Sequence, residues 1–355
     1  MRTTVSPFVA LGLLVAVASP SPAQQPTRYT LKGDSLAVYN LVGELRVEPG
    51  PAGDVVVELT RGGADAADLK IETGELRGRQ TLRVIYDADV IVYSEWGRGW
   101  GNTTMRVRDD GTFGDGRDWR GGREVRITGR ARGSAMEAYA DLRVIVPAGK
   151  NVALHLGVGK ASVTNVDGVI SVAVSSADVS TDRTRGTLRV ATGSGNVDMR
   201  AATGDVKAET GSGDVNATAI HGTLVKLGTG SGNVTVTDVQ ATGLKIETGS
   251  GDVRVSGAKG DDVSFETGSG DVDVALLAGF TSLSIETGSG DVTLSVPATI
   301  GAQVELDTGS GDIDLGGLTL TVRRVERDHI RGVIGDGKGR LSVETGSGNV
   351  RLVKS

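Results

Sequence analysis

The chain contains no cysteine, which excludes disulfides, a thiol nucleophile, thiolate metal ligands and a lipidated cysteine near its N-terminus. Histidine occurs three times, at His155, His221 and His329, far apart and in no zinc-ligand spacing. Aromatic residues make up only 3% of the 355 residues. Large aromatic side chains normally dominate a thick globular core, so a thin core of Val, Leu, Ile and Ala is expected instead. Proline is scarce: after Pro51 only Pro147 and Pro297 remain, which leaves long stretches able to donate every backbone amide to a sheet. The formal net charge of −6 argues against wholesale nucleic-acid binding.

The N-terminus carries the marks of a secretion signal. Arg2 precedes an apolar run at 8–18, too short to cross a bilayer as a helix. Ser21-Pro22-Ala23 then supplies small residues for cleavage. The expectation is a signal peptide at 1–23, a mature chain from Gln24, and a periplasmic or extracellular location. No later segment is apolar enough to span a membrane as a helix.

Glycine, at 54 residues, is abundant, and much of it belongs to a repeat. The string T-G-S-G-[DN]-[VI] occurs eight times, its first glycine at 193, 211, 230, 249, 268, 288, 309 and 346. The period is about 19 residues, and the last interval is close to two periods, as if one coil had lost its signature. Extrapolating backward reaches Ser175 and Gly157. The count is then about eleven coils over 151–355.

Each coil carries two short alternating runs. In Leu244-Lys245-Ile246-Glu247-Thr248 and Asp252-Val253-Arg254-Val255, period-2 alternation places Leu244, Ile246, Val253 and Val255 on one face. The column Val197, Val215, Val234, Val253, Val272, Val292, Ile313, Val350 repeats down the array, as does its neighbour from Met199 to Leu352. Such columns are what stacked parallel strands bury. Gly-Ser-Gly reads as a tight corner where glycine supplies positive φ, with a second corner half a period away at 257–260. The fold class is therefore all-β, a parallel β-solenoid of single-coil repeats stabilised by neighbour stacking.

The T-G-S-G-D-V repeats, with the closing Ile334-Gly335-Asp336-Gly337 and 341–350, resemble the DUF4097 family of bacterial envelope proteins, described as adhesins. The resemblance covers most of 140–355 and, more weakly, 27–93. It implies a β-solenoid with a surface or envelope role and no established activity.

Residues 24–150 read as a β-rich cap or irregular early coils, with strands around 36–39, 45–47, 55–59 and 82–86 that shield the end of the stack. Within them, 94–133 holds 10 Gly, 9 Arg and all three Trp. It is either a flexible, disordered insertion or a recognition loop in which Trp96, Arg98, Trp100, Trp119 and Arg120 stack on sugars and pair with acidic groups of glycans or envelope polymers.

Other chemistry is weaker. Asp252, Asp271, Asp291 and Asp312 follow successive corners, and Glu247, Glu266, Glu286 and Asp307 precede them. These acids form a solvated ladder or, alternatively, a calcium-responsive module; the spacing differs from the nine-residue calcium β-roll. Gly157-Val158-Gly159-Lys160-Ala161-Ser162 lacks the first glycine and the hydroxyl of a phosphate loop. His155 alternates with Leu154 and Leu156 and is expected to face outward. The stretch 316–340, with Arg323, Arg324, Arg327, Asp328, His329 and Arg331, reads as a charged capping coil or, less readily, as the active patch of a polysaccharide-cleaving β-helix. The expectation is a non-enzymatic module without a required cofactor, displaying a repetitive face to glycans, envelope polymers or surface proteins.

Overall fold

The computed structural model describes residues 25–96, 101–114, 121–130 and 133–355, with the side chains of 322–325 excepted. The signal-peptide expectation lies outside these residues. The described chain is almost wholly β, and its long parallel ladder is the solenoid. Val197 pairs with Val215, Val215 with Val234, Val234 with Val253, Val253 with Val272, and Val272 with Val292. Every one of these valines is buried. Across the corner, Val225, Leu244, Val263 and Leu283 form a second buried column in the same register. Apolar residues recurring at period 2 in every coil leave no other arrangement that hides both columns.

The Gly-Ser-Gly corner has a different basis from the one the sequence suggests. Gly213, Gly232, Gly251, Gly270 and Gly290 do not adopt left-handed backbone. Each lies directly on the previous coil: a β-carbon on Gly251 would overlap the carbonyl oxygen of Gly232. Glycine is required by the close approach of stacked backbone, not by turn dihedrals. The motif threonine completes the corner. The Thr248 hydroxyl is buried, donates to the Gly232 carbonyl at 2.8 Å and accepts from the Gly251 amide at 3.2 Å. Thr210, Thr229, Thr267, Thr287, Thr308 and Thr345 likewise each donate to a glycine carbonyl of the adjoining coil. Left-handed residues sit at the other corner, where Asn165, Arg183, Ala201, Ala219, Asp238 and Gly257 all have φ between 50° and 79°.

Stacking order departs from chain order near the end. Leu283 pairs with Leu341, and Leu341 pairs with Val304. Val292 pairs with Val350, which pairs with Ile313. The coil 339–354 is thus inserted between 282–296 and 302–314. The doubled interval holds no lost coil: Thr321–Val325 and His329–Ile334 form an antiparallel pair, and His329–Ile334 lies antiparallel on Ala302–Thr308. The repeat array is one coil shorter than the spacing implies, and its final pairing is antiparallel where parallel stacking was expected.

The other end is closed in the same manner. Ser35–Gly50 forms a coil that pairs in parallel with Lys150–Thr164. Arg79–Ile85 and Tyr139–Pro147 pair in parallel with its far edge. Antiparallel strands Lys70–Leu76, Val55–Gly62 and Thr27–Leu31 finish the stack.

The described part of 94–133 is not a disordered insertion. Asn102–Val107 and Arg123–Thr128 pair antiparallel, and Val90–Val92 joins the latter in parallel. Val107, Val125 and Ile127 from this small sheet, and Phe113 from the loop after its strand 102–107, enter the common core. Its packing also covers His155, which was expected to face outward into solvent. That side chain points away from the solenoid interior, yet it is buried, stacked on Tyr39 at 4.3 Å with Phe113 edge-on.

Candidate functional site

Strand alternation sends Glu44, Lys160 and Asp178 to the outer face of three neighbouring coils, where Glu44 pairs in register with Lys160 and Lys160 with Asp178. Trp96 closes the head of this face. Its indole is partly buried against the core and lies so close to the Gly101 backbone that a β-carbon there would overlap the ring. The result is a cleft of about 330 Å³ between Trp96, Tyr93, Glu44, Lys160 and Asp178, floored by the small residues Gly159 and Ala177. It continues into a second hollow of about 240 Å³ that shares Glu44, Lys160 and Asp178 and adds Arg46, Ser180 and Asp198. Each hollow spans several stacked coils, and the two lie side by side along the strands, making one shallow groove.

The groove is polar and locally acidic. Ser176 and Ser194 hydroxyls lie 2.9 Å apart at its floor, and Glu44 pairs with Arg46. Burial raises the Tyr93 hydroxyl pKa, and the charges of Glu95, Asp141 and Glu44 raise it further. Asp141, behind Glu44, is pushed above the ordinary carboxylate range chiefly by desolvation, although it accepts the Glu44 amide at 2.8 Å. A larger cavity of about 1020 Å³ is lined by Asp65, Asp68, Asp87, Asp89, Asp109 and Arg123 among others; Asp87 pairs with Lys70 and Asp89 with Arg123.

Of the recognition residues expected from sequence, Trp96 stands in this cleft; Arg98, Trp100, Trp119 and Arg120 lie outside the described residues. Nothing in the residues around Trp96 points to Glu44 or Lys160 as its neighbours. The pairing of 35–50 with 150–164 crosses more than a hundred residues, and only Val-Gly-x-x-x-Val at 42–47 and 158–163 marks it in the sequence.

The aspartate column has a structural role. The Asp271 amide donates to Asp252 Oδ1 at 3.0 Å and the Asp291 amide to Asp271 Oδ1 at 2.9 Å. The next member is Asn349, whose amide reaches Asp291 Oδ1 at 2.7 Å; the Asp312 amide then reaches Asn349 Oδ1 at 3.1 Å. Each Asp or Asn therefore caps an amide of the following coil, which explains why either residue serves at this position. Asp252, Asp271 and Asp291 are consecutive, but Asn349 separates them from Asp312. For a calcium ion, each consecutive aspartate has one carboxylate oxygen already engaged by backbone.

The glutamate column differs. In stacking order it reads Glu247, Glu266, Glu286, Glu344, Asp307. Lys226 and Lys245 pair with Glu247, and Lys245 also with Glu266. Partial burial works against it, but the hydrogen bonds from these lysines hold the Glu247 carboxyl below its ordinary range.

A family model, Toastrack DUF4097, matches residues 122–353. No curated protein matches the chain. A crystal structure titled as that of a "putative cell adhesion protein" from Clostridium sporogenes aligns over 93% of this chain and 100% of that one, at 11% identity and a TM-score of 0.24. No helix among the described residues is long and apolar enough to cross a membrane.

Proposed function

The chain belongs to the Toastrack DUF4097 family, and from that membership we propose that it is a non-enzymatic surface or cell-envelope module that binds extended, hydroxyl-rich polymers along the groove headed by Trp96. The observation that carries this reading is the anchored indole at the end of a channel spanning several coils. An indole face suits the apolar face of a sugar ring, while Ser176, Ser194 and the carboxylates supply hydrogen-bond partners. The groove holds Glu44, Glu95, Asp178 and Asp198 against Arg46 and Lys160. That balance favours neutral or amine-bearing glycans over the acidic polymers suggested by the arginines of 94–133. The apolar run at 8–18 and Ser21-Pro22-Ala23 support export to the periplasm or beyond, which N-terminal sequencing of the secreted chain tests.

With Trp100 and Trp119 changed to Phe, Trp96 is the only fluorescent indole. Saturable changes in its emission are expected with neutral or amine-bearing oligosaccharides, with binding lost in Trp96→Ala. Unaltered emission at saturating glycan, or equal binding by Trp96→Ala, overturns the assignment.

A further inference from the structure

We propose that the capping hairpin carries a binding site for a borderline divalent transition metal of the zinc class, formed by Glu305, Asp307 and His329. Glu305 and Asp307 are two residues apart on strand Ala302–Thr308 and so share a face. His329 lies directly opposite Asp307 on the antiparallel strand His329–Ile334. The potential ligand atoms of all three lie within 4.8 Å of one another, and all three residues are partly buried. A tetrahedral zinc site holds its ligand atoms roughly 3.3 Å apart, so these three residues would have to draw together around the ion and would leave its fourth position to water. His329 is already held in place, with Nδ1 2.7 Å from Asp307 Oδ1 and its side chain 17% exposed.

A second observation comes from the acid column that ends here. The lysines that compensate Glu247 and Glu266 do not extend to its far end. Among the described residues neither Glu286 nor Glu344 has a Lys or Arg ion pair, and Glu344 is the register partner of Asp307 on its other edge. Stacked carboxylates one strand apart repel, and a dication at Asp307 relieves that repulsion where no lysine does. An imidazole among carboxylates selects zinc-class ions over calcium, which takes oxygen ligands only. Arg331, opposite Glu305 and hydrogen-bonded to it, occupies the carboxylate that the ion would use. Metal must displace it, so Arg331 sets the affinity. Bound metal would join the hairpin to the coil 302–314 and complete the cap.

The test uses the full chain stripped with chelator, then titrated with zinc chloride or calcium chloride and followed by calorimetry and thermal melting. One equivalent of zinc is expected to bind and raise Tm, with little effect from calcium. Asp307→Asn and His329→Gln, both of which keep a hydrogen-bonding group at the cap, are expected to abolish zinc binding and the Tm shift. Arg331→Met is expected to tighten zinc binding. Absence of zinc binding by the unaltered chain, or equal binding by both ligand variants, overturns the proposal. Circular dichroism before metal addition confirms that each variant is folded.

Discussion

The repeat array and the N-terminal block solve the same problem in opposite ways. In the array, the motif side chains bond the coil beside them, and the arrangement recurs: buried Thr hydroxyl to glycine carbonyl, exposed Asp or Asn side chain to the next amide. In the N-terminal block the bonds occur once. The buried Asn40 donates to the Val42 and Ala140 carbonyls at 3.0 and 2.6 Å, and its Oδ1 lies 2.8 Å from the Tyr86 hydroxyl. Three segments distant in sequence meet there, where a long strand must hold both a solenoid coil and an antiparallel cap. Repetition gives the array stability from neighbours of one kind; the block depends on single contacts that have no substitute nearby.

That contrast is open to direct attack. The largest effect is expected from Val253→Asp, which puts a carboxylate into a column that offers only Val234 and Val272 as neighbours; loss of about 4 kcal/mol or more is expected. Arg254→Asp, on the outer face, should cost little, and equal denaturant midpoints for the two would refute the face assignment. Next comes Gly251→Ala, where the new methyl meets the Gly232 carbonyl. Chemical denaturation should show a loss of about 3 kcal/mol, against almost none for Gly279→Ala, whose surroundings are open.

In the N-terminal block, Tyr86→Phe leaves the buried Asn40 Oδ1 without its hydroxyl partner. A loss of about 1–3 kcal/mol is expected, with lowered hydrogen-exchange protection around residues 40–42 and little change within the array. Uniform loss along the whole chain would mean that the two regions do not differ as described. The smallest effect is at the left-handed corner. Ala219 has φ 55°, a conformation that costs an L-residue about 1–2 kcal/mol. Replacing it with Gly should raise Tm slightly, since the greater chain entropy of glycine offsets only about 0.5–1 kcal/mol of that relief.

The array was legible because its buried residues declare themselves at fixed spacing. Val253 and its partners could be aligned by counting, and both corners could be placed. What counting could not give was the reason for Gly-Ser-Gly, since a close approach between coils and a positive φ leave the same residue in the sequence. It also could not give stacking order, because Val350 carries the same motif as Ile313 and fits either side of it. His155 points outward as alternation predicts, but alternation does not tell what another part of the chain lays over it, here Tyr39 and Phe113. The groove joins Lys160 and Asp178, which the repeat spacing already aligns, to Glu44 and Trp96, which lie outside the repeat. Trp96 drew attention only as part of a composition anomaly.

The inserted coil has a consequence for how the chain reaches its final state. During synthesis, 302–314 emerges before 339–354, and at that moment the open edge of 282–296 offers it a matching motif. Docking there would bury Ile313 beneath Val292 with the same kind of threonine and aspartate bonds, but in the slot that the final stack gives to a later segment. A chain that docked so would have to open that pairing before 339–354 could enter between the two. The step is a strand exchange between nearly equivalent partners, and its slowness would be set by how similar the repeats are. The regularity that makes the stack easy to extend is thus also what makes its last layers easy to place in the wrong order.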